Sequence, residues 1–309
     1  MRRQRVIDAG SRVFTRLPEL SVVVVTHNEG SMLRNTIDNF LATLPSGSEL
    51  IVVDDQSSDG STDFLRDYKS VKWVRAPARL GVARARQLGA TQARGEAFVF
   101  SDAHVEVEPH WAPALCEVLA NPEVGMVGPA VSDFANASCK GYGMTCTESL
   151  IPRWLPRLRR EPYAVPVLCG MFLALRRDAF ESSGGFDCGM LQWGSEDVEL
   201  SLRLWLLGYQ CVLVPSTVVA HLFRPRHPYH VDSEVVEYNR LRAGIVHLNR
   251  RRLLTFAREF QARSDYAGVR SVLYASDTRE RRREMFARRL YDDDWFFGEV
   301  CARYDGVAR

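Results

Sequence analysis

An aspartate and a histidine two positions apart are the side chains in this sequence best placed to do chemistry. Asp102 and His104 follow the hydrophobic run 97–100, which is typical of a strand. Because residues i and i+2 of an extended chain point to the same side, the two side chains can share one divalent cation. His221, which follows the β-like run 211–219, is the candidate third ligand. Mixed oxygen and nitrogen ligands favour Mn²⁺ or another borderline metal over Ca²⁺, although the spacing alone also fits an ordinary hydrogen-bonded histidine.

A second group of polar residues follows the apolar run 50–53. Asp54 and Asp55 come first, and Ser57 and Ser58 follow them. Acidic residues at the end of an early parallel strand often bind the ribose or base of a nucleotide, but Asp and Ser are also common in turns. No P-loop is present, and no glycine-rich dinucleotide fingerprint follows the first strand, which leaves those two nucleotide-binding folds without support.

Two further strings carry groups that could act on a substrate. Glu196 and Asp197 in the string WGSED could accept a proton or bind a sugar hydroxyl, and Ser195 before them is a plausible helix N-cap. In the string HLFRPRHPY, Arg224 and Tyr229 supply the donors that a departing diphosphate needs. Helix capping and an ordinary basic loop are the alternative interpretations.

Strand-like and helix-like segments alternate through the first hundred residues. This order predicts an α/β fold with a mainly parallel sheet and helices on both faces. Ligands of such sheets bind beyond the carboxyl ends of the strands, so Thr26, Asn28 and Glu29 join the candidates at the end of the first strand. The predicted strands are 20–26, 50–53, 71–75 and 97–100, and the predicted helices are 31–43, 62–68 and 80–93.

The rest of the chain divides into three parts. Residues 136–166 contain four prolines, which predicts an irregular insertion over the site. A strand at 167–175 and a helix at 195–207 continue the α/β pattern, and an Arg-rich helical pattern begins at 233. We therefore divide the chain into an N-terminal extension (1–19), a catalytic α/β domain (20–232) and a helical C-terminal extension (233–309).

Composition excludes several classes of protein. The 309 residues are 46% hydrophobic and 25% charged with a net charge of +2, which excludes a disordered chain and gives no support to nucleic-acid binding. The seven scattered cysteines and the absence of a long apolar run predict a cytoplasmic protein with reduced thiols. The basic C-terminal part and the Arg/Trp-rich segment 153–160 raise a membrane surface as a weaker alternative, and oligomeric state is not indicated.

Six strings in one order carry a family resemblance. THNE, VDD, RLGVARARQLGA, DAH, FDCGMLQWGSEDVELSLRLW and HLFRPRHPY occur between residues 20 and 232. Together they resemble the catalytic domain of the polypeptide N-acetylgalactosaminyltransferases and, more widely, the nucleotide-sugar glycosyltransferases with a GT-A (Rossmann-like) fold, including the inverting family 2.

The resemblance implies roles for individual residues. It implies that Mn²⁺, with Mg²⁺ as the alternative, binds Asp102, His104 and His221. It implies a uridine site at Thr26, Asp54, Asp55 and Arg79, next to Asn28, Glu29 and Ala103. It implies a mobile diphosphate loop with Arg224, His227 and Tyr229, and a sugar site with Trp193 and Glu196.

The resemblance also implies a reaction. The expected enzyme moves GalNAc or GlcNAc from a UDP-sugar to an acceptor hydroxyl, plausibly of Ser or Thr in a peptide, with retention. One departure opens an alternative, since Asp197 replaces the Asn of the family's W-G-G-E-N and Glu-Asp at this position is typical of inverting enzymes, whose Asp is the acceptor's base. An inverting enzyme acting on a glycan or lipid-linked acceptor and a non-catalytic nucleotide-sugar-binding protein remain the alternatives. A glycan and a small-molecule acceptor are the alternatives to the peptide.

Overall fold

A single mixed sheet forms the centre of the molecule. The computed structural model describes residues 17–224, 228–261 and 266–308. The strands of this sheet, in chain order, are β1 Leu20–Thr26, β2 Glu49–Asp54, β3 Val71–Arg75, β4 Ala97–Asp102, β5 Val105–Val107, β6 Val124–Asp133, β7 Lys140–Gly141, and, after a separate hairpin, β10 Tyr163–Ala164, β11 Phe172–Arg176 and β12 Gln210–His221. The hairpin consists of β8 Met144–Cys146 and β9 Pro152–Trp154.

Parallel pairing dominates where the sequence predicts it. The main path runs β10-β12-β6-β11-β4-β1-β2-β3, and β3, β2, β1 and β4 are parallel to one another. The strands β6 and β12 are also parallel, whereas β11 runs antiparallel between β4 and β6. The prediction of a mainly parallel sheet is confirmed, and the carboxyl ends of β1, β4 and β12 meet at one edge.

Helices cover both faces of the sheet. They are α1 Met32–Thr43, α2 Val82–Gln92, α3 Trp111–Leu119, α4 Arg177–Ser183, α5 Glu196–Leu206, α6 Ser233–His247, α7 Arg250–Gln261, α8 Tyr266–Ala275 and α9 Thr278–Arg288. Alternate residues of β1 face opposite sides, so that Val22 packs with α1 and α3 while Val23 packs with α2, α4 and α5. The helices α6 to α9 extend this second layer, as the C-terminal pattern predicts.

Three local predictions need correction. The segment predicted as a helix at 62–68 is a short 3₁₀ turn, Asp63–Asp67. Ser195 precedes α5, but its side chain makes no capping hydrogen bond, and its φ of 66° is left-handed rather than the extended conformation of an N-cap. The insertion is less irregular than predicted, since it contains the hairpin and β10. No helix in the described ranges has the length and apolar character of a bilayer span.

Candidate active site

A cavity of about 770 Å³ opens where β1, β4 and β12 end. This edge of the sheet is where open α/β folds bind their ligands. Most of the residues singled out from the sequence line it, namely Thr26, Glu29, Asp55, Arg79, Asp102, Ala103, His104, Trp193, Glu196, Asp197, His221, Arg224 and Tyr229. Both the α/β domain and α6 contribute to its wall.

Two histidines and an aspartate converge on the floor of the cavity. Nε2 of His221 lies 3.5 Å from Oδ2 of Asp102, and Nε2 of His104 lies 4.0 Å from the same oxygen. One ligand atom from each residue lies within 4.8 Å of the other two. One carboxylate oxygen and two imidazole nitrogens at this separation can close around a single borderline divalent cation.

The carboxylate of Glu29 orients one of these histidines. Its Oε2 atom lies 3.1 Å from Nδ1 of His104 and 2.7 Å from Nη2 of Arg224. Burial opposes ionisation of Glu29, but hydrogen bonding to His104 and Arg224 outweighs it and lowers the pKa of this carboxyl. A carboxylate this close to Nδ1 favours a proton on that nitrogen, which leaves Nε2 of His104 to bind a metal. Asp102, His104 and His221 are called the cation set below. Glu29 therefore orients a member of this set, and its carboxylate is not a free acceptor for a substrate.

A buried arginine joins the cation set to the WGSED helix. Arg86, only 1% exposed, donates to Asp102 Oδ1 (2.9 Å), to Glu196 Oε1 (3.2 Å) and to the carbonyl of Gly170 (2.7 Å). Burial raises the pKa of Asp102, but the hydrogen bond to His221 and the charge of Arg86 reverse this and hold that pKa well below its usual value. Asp102 is therefore ionised in its metal-free form.

Glu196 and Asp197 lie side by side at the start of α5, the first buried and the second partly buried. Burial, together with the charge of Asp197, raises the pKa of Glu196 to about 7. Burial also raises the pKa of Asp197. The oxygens of Asp197 accept from two backbone amides, Oδ2 from Gly170 (2.9 Å) and Oδ1 from Val198 (2.8 Å). The Asp197 carboxylate thus braces the strand and helix that meet beneath the cavity.

Asp55, Arg79 and Tyr229 form one side of the cavity. Arg79 Nη1 lies 2.7 Å from Asp55 Oδ2, and the backbone amides of Leu80 and Gly81 donate to the same carboxylate. The guanidinium of Arg79 lies 5.0 Å from the centre of the Tyr229 ring. Burial raises the pKa of Tyr229 to about 12, so that its hydroxyl stays a donor at neutral pH. This side offers one cation and one hydroxyl to an anionic ligand.

The structure places two predicted substrate-binding residues outside the cavity wall. Asp54 is fully buried and accepts from the Ser57 amide (2.7 Å). Asn28 accepts from the Ser58 amide (2.8 Å) in a turn with a φ of 54°. Both side chains hold the loop after β2. Neighbouring residues of an extended chain point to opposite faces, which is why Asp55 and not Asp54 faces the cavity. His227 lies outside the described residues.

The insertion hairpin supplies an apolar wall that the sequence pattern does not single out. Ile151 and Phe223 are exposed by 45% and 42%, and Trp154 packs perpendicular to Phe223 with ring centres 6.4 Å apart. All three line the cavity. An exposed apolar wall beside a polar floor is typical of a binding site for a partly apolar ligand.

Comparison with protein families gives two matches. The model described as glycosyl transferase family 2 matches residues 21–184, and the model described as the N-terminal domain of galactosyltransferase matches residues 158–231. The first match alone spans more than half of the chain.

The chain belongs to glycosyl transferase family 2. Two relatives show how far the sequence similarity extends along this family 2 chain. N-acetylgalactosaminyltransferase 7 of Drosophila melanogaster is 33% identical over 241 residues, which are 69% of this chain and 41% of the relative. Human polypeptide N-acetylgalactosaminyltransferase 15 is 29% identical over 311 residues, 92% of this chain and 47% of the relative. The chain thus spans about half or less of these relatives.

Two solved structures share the fold. The crystal structure of GalNAc-T7 with UDP, GalNAc and Mn²⁺ matches with a TM-score of 0.78 at 22% identity, over 95% of this chain and 58% of that one. The mannosyltransferase PcManGT of Pyrobaculum calidifontis, in complex with GDP-Man and Mn²⁺, matches with a TM-score of 0.55 at 21% identity, over 89% and 86% of the two chains. The predicted GT-A fold with a helical C-terminal part is confirmed.

Three residues of this family 2 site were not predicted from the sequence, namely Arg86, Trp154 and Phe223. Arg86 had a signal, since it stands three residues after Ala83 and three before Gly89 in the predicted helix, on a face whose other residues are small. Its charge inside an otherwise apolar buried face required a partner. The two aromatic residues had no such signal, because they meet only through the tertiary fold.

Proposed function

We propose that this chain is a metal-dependent glycosyltransferase that moves GalNAc or GlcNAc from a UDP-sugar to the hydroxyl of Ser or Thr in a peptide. The observation that carries the proposal is the convergence of Asp102, His104 and His221 in a cavity that also presents Arg79 and Arg224. The relatives named as polypeptide N-acetylgalactosaminyltransferases support the sugar and the acceptor.

The ligand set fits Mn²⁺. Two imidazole nitrogens suit this borderline metal better than Mg²⁺, which prefers oxygen ligands. Asp102, His104 and His221 would hold the cation, and the contact of Glu29 with His104 supplies the support that metal-binding histidines require. When bound, the cation neutralises negative charge on the nucleotide's diphosphate.

The chain's own donors complete the nucleotide site. The Thr26 hydroxyl is buried and has no hydrogen-bond partner among the described residues, so it is available to the uridine. Arg79 and Tyr229 contact each other in the same cavity, and Arg224 contacts Glu29, the carboxylate that also contacts His104. Fixed positive charges in a closed site stabilise the charge that develops on a leaving diphosphate.

The reaction we propose needs no protein base. The acceptor oxygen attacks the anomeric carbon, the bond from that carbon to the β-phosphate oxygen breaks, and its electron pair leaves with UDP. A diphosphate oxygen on the same face takes the acceptor's proton, which yields the retained product. Arg86 and Glu196 lie at the cavity floor, where Glu196 can hold a sugar hydroxyl in either protonation state.

The backbone contacts of Asp197 give it a structural role, whereas the inverting alternative needs it as the acceptor's base. A base must have a lone pair facing the acceptor hydroxyl, within about 2.6–3.2 Å. Both oxygens of Asp197 already accept from backbone amides, those of Gly170 and Val198. Because an Asn at this position would set an NH₂ group against one of these amides, the configuration of the product is the direct test, and we expect the α-anomer.

The apolar wall supports a peptide acceptor. Ile151, Trp154 and Phe223 offer a surface for apolar side chains that flank the reacting hydroxyl, while a simple sugar acceptor would meet few polar groups there. A glycan or lipid-linked acceptor is the second candidate, because the basic segment near Trp154 is also suited to an anionic surface.

A donor and acceptor screen tests the proposal. Full-length protein with Mn²⁺ is incubated with UDP-GalNAc, UDP-GlcNAc or UDP-Gal and a peptide carrying one Ser or Thr among apolar residues. We expect UDP release, a mass increase of one sugar on the peptide, and an α-anomeric NMR signal from the product. Tight UDP binding without release or transfer would instead support a non-catalytic binding protein, and a β-anomer would support inversion.

The cytoplasmic location and the boundary at residue 232 stay predictions. The location is based on the seven scattered cysteines, none of which forms a disulfide. Alkylation of intact cells followed by mass spectrometry would detect seven reduced thiols, and limited proteolysis near residue 232 would test the boundary.

A further inference from the structure

A buried asparagine of the C-terminal part holds the loop that carries the WGSED motif. Asn239 of α6 is 1% exposed. Its Oδ1 accepts from the amide of Leu191 (2.8 Å), and its Nδ2 donates to the carbonyls of Leu191 (2.7 Å), Gly194 (3.0 Å) and Trp193 (3.2 Å). One side chain therefore forms hydrogen bonds with the backbone at both ends of the segment 191–194, which belongs to no helix or strand.

The same loop has an unfavourable backbone conformation. Gln192 and Ser195 have φ values of 33° and 66°, in the left-handed region that non-glycine residues rarely adopt. Such residues cost about 1–3 kcal/mol each and persist only where their surroundings hold them. On the opposite side, the amide of Val82 donates to the Gln192 carbonyl (2.6 Å), and Gly81 leaves no space for a Cβ against that residue. The loop is thus held between α2 and α6.

The helix that carries Asn239 is itself fixed by buried charge. Arg242, one turn further along α6, is fully buried and forms two hydrogen bonds to Asp187, of 2.8 and 2.9 Å. It also contacts Asp277 (2.8 Å) and Thr278 (2.8 Å) at the start of α9. Asp187 precedes the loop in the chain. The helix α6 therefore contacts both the loop itself and the segment just before it.

We propose that Asn239 is a positioning residue that sets the geometry of Trp193 and Glu196, so that the C-terminal helices form part of the active-site framework. The proposal rests on the proposed function for its catalytic consequence. The Asn239 side chain itself contacts neither the cation set nor the nucleotide side, because all four of its hydrogen bonds go to residues 191–194. Loss of the Asn239 amide should therefore impair the sugar and acceptor step while leaving UDP binding intact.

Matched variants of α6 test this role. Asn239→Ala and the milder Asn239→Ser remove the loop contacts, and Val246→Ala, at another fully buried position of α6, controls for lost helix packing. With Mn²⁺ present, we expect the Asn239 variants to lower kcat for transfer by about 10²-fold, with the Kd for UDP within threefold of wild type, roughly the margin of such titrations. Val246→Ala should retain kcat.

Hydrogen exchange of the peptide covering 186–196 supplies a readout that does not depend on catalysis. We expect faster exchange of this peptide in both Asn239 variants than in Val246→Ala. Unchanged exchange, or a loss of kcat no greater than in the control, would overturn the proposal. If wild-type protein transfers no sugar, the proposed function fails, whereas the exchange result still decides whether Asn239 holds the loop.

Discussion

Arg86 donates a hydrogen bond of 2.9 Å from Nη2 to Oδ1 of Asp102. The same guanidinium contacts Glu196 through Nη1. One buried cation therefore connects a ligand of the cation set with the carboxyl group assigned to the sugar. Such a bridge fixes the distance between the two parts of the site and keeps Asp102 ionised before any metal binds.

Replacing this arginine should uncouple the two parts of the site. Arg86→Lys keeps a positive charge but cannot reach both carboxylates, and we expect kcat to fall by about 10²–10³-fold. Arg86→Ala removes the cation shared by the buried Glu196 and the partly exposed Asp102 and should also lower the free energy of unfolding, by at most about 3–5 kcal/mol. Steady-state transfer assays and urea unfolding measure these changes. Arg94→Ala, at an exposed pair, is the control, and equal effects in both would contradict the account.

The apolar wall should control acceptor binding alone. Trp154→Ala removes the ring that packs on Phe223, and we expect the KM for the peptide to rise by about tenfold because roughly 1.4 kcal/mol of apolar contact is lost. The Kd for UDP should not change. Leu158→Ala, at an exposed position of the same insertion, is the control. A weaker UDP affinity in Trp154→Ala would place the ring on the nucleotide side.

A buried contact between a histidine of α6 and a glutamate of α5 should make stability depend on pH. His247 Nε2 lies 2.7 Å from Glu199 Oε1, and both side chains are almost completely buried. Burial lowers the pKa of His247 below 6.5, although Glu199 opposes this. Burial opposes ionisation of Glu199, but the charge of Arg203 and hydrogen bonding to His247 bring its pKa well below 4.5.

The two pKa shifts change the stability of the folded chain in the same direction. As the pH falls through 6.5, the unfolded chain binds a proton at His247 that the folded chain resists, and below about 4.5 the same holds for Glu199. On acidification from pH 7.5 to 5, His247 and Glu199 should therefore lower stability, against the opposite contribution of Glu196, whose raised pKa means that the folded chain takes up a proton first. Calorimetry should show a smaller drop of Tm over this interval in His247→Gln than in wild type, by about 2–4 °C for each kcal/mol. An equal drop would exclude His247 as the titrating group.

Strand ends could be predicted from the sequence, but the direction of their side chains could not. The runs before Thr26, Asp102 and His221 identify strands, and parallel pairing then brings their ends together. The sequence does not show which of Asp54 and Asp55 lines the cavity. Only the fold shows that it is Asp55.

Contacts between distant segments account for what the sequence did not reveal. Ser195 precedes a helix and looks like a cap, yet the loop held by Asn239 forces it into a left-handed conformation. No local pattern links Asn239 to that loop, because the link depends on where α6 packs. The buried pairing of Arg242 with Asp187 fixes that packing and is equally invisible to periodicity.

Calorimetric titration with UDP tests the central claim most directly, because it measures whether the cation set and the nucleotide site are one. We predict tight UDP binding by wild-type protein in Mn²⁺, and a loss of at least about tenfold in affinity when EDTA replaces Mn²⁺ or when His221→Ala replaces wild type. The variant His110→Ala, at an exposed histidine, should bind like wild type. UDP affinity that is the same with and without Mn²⁺, and the same in His221→Ala, would contradict the account.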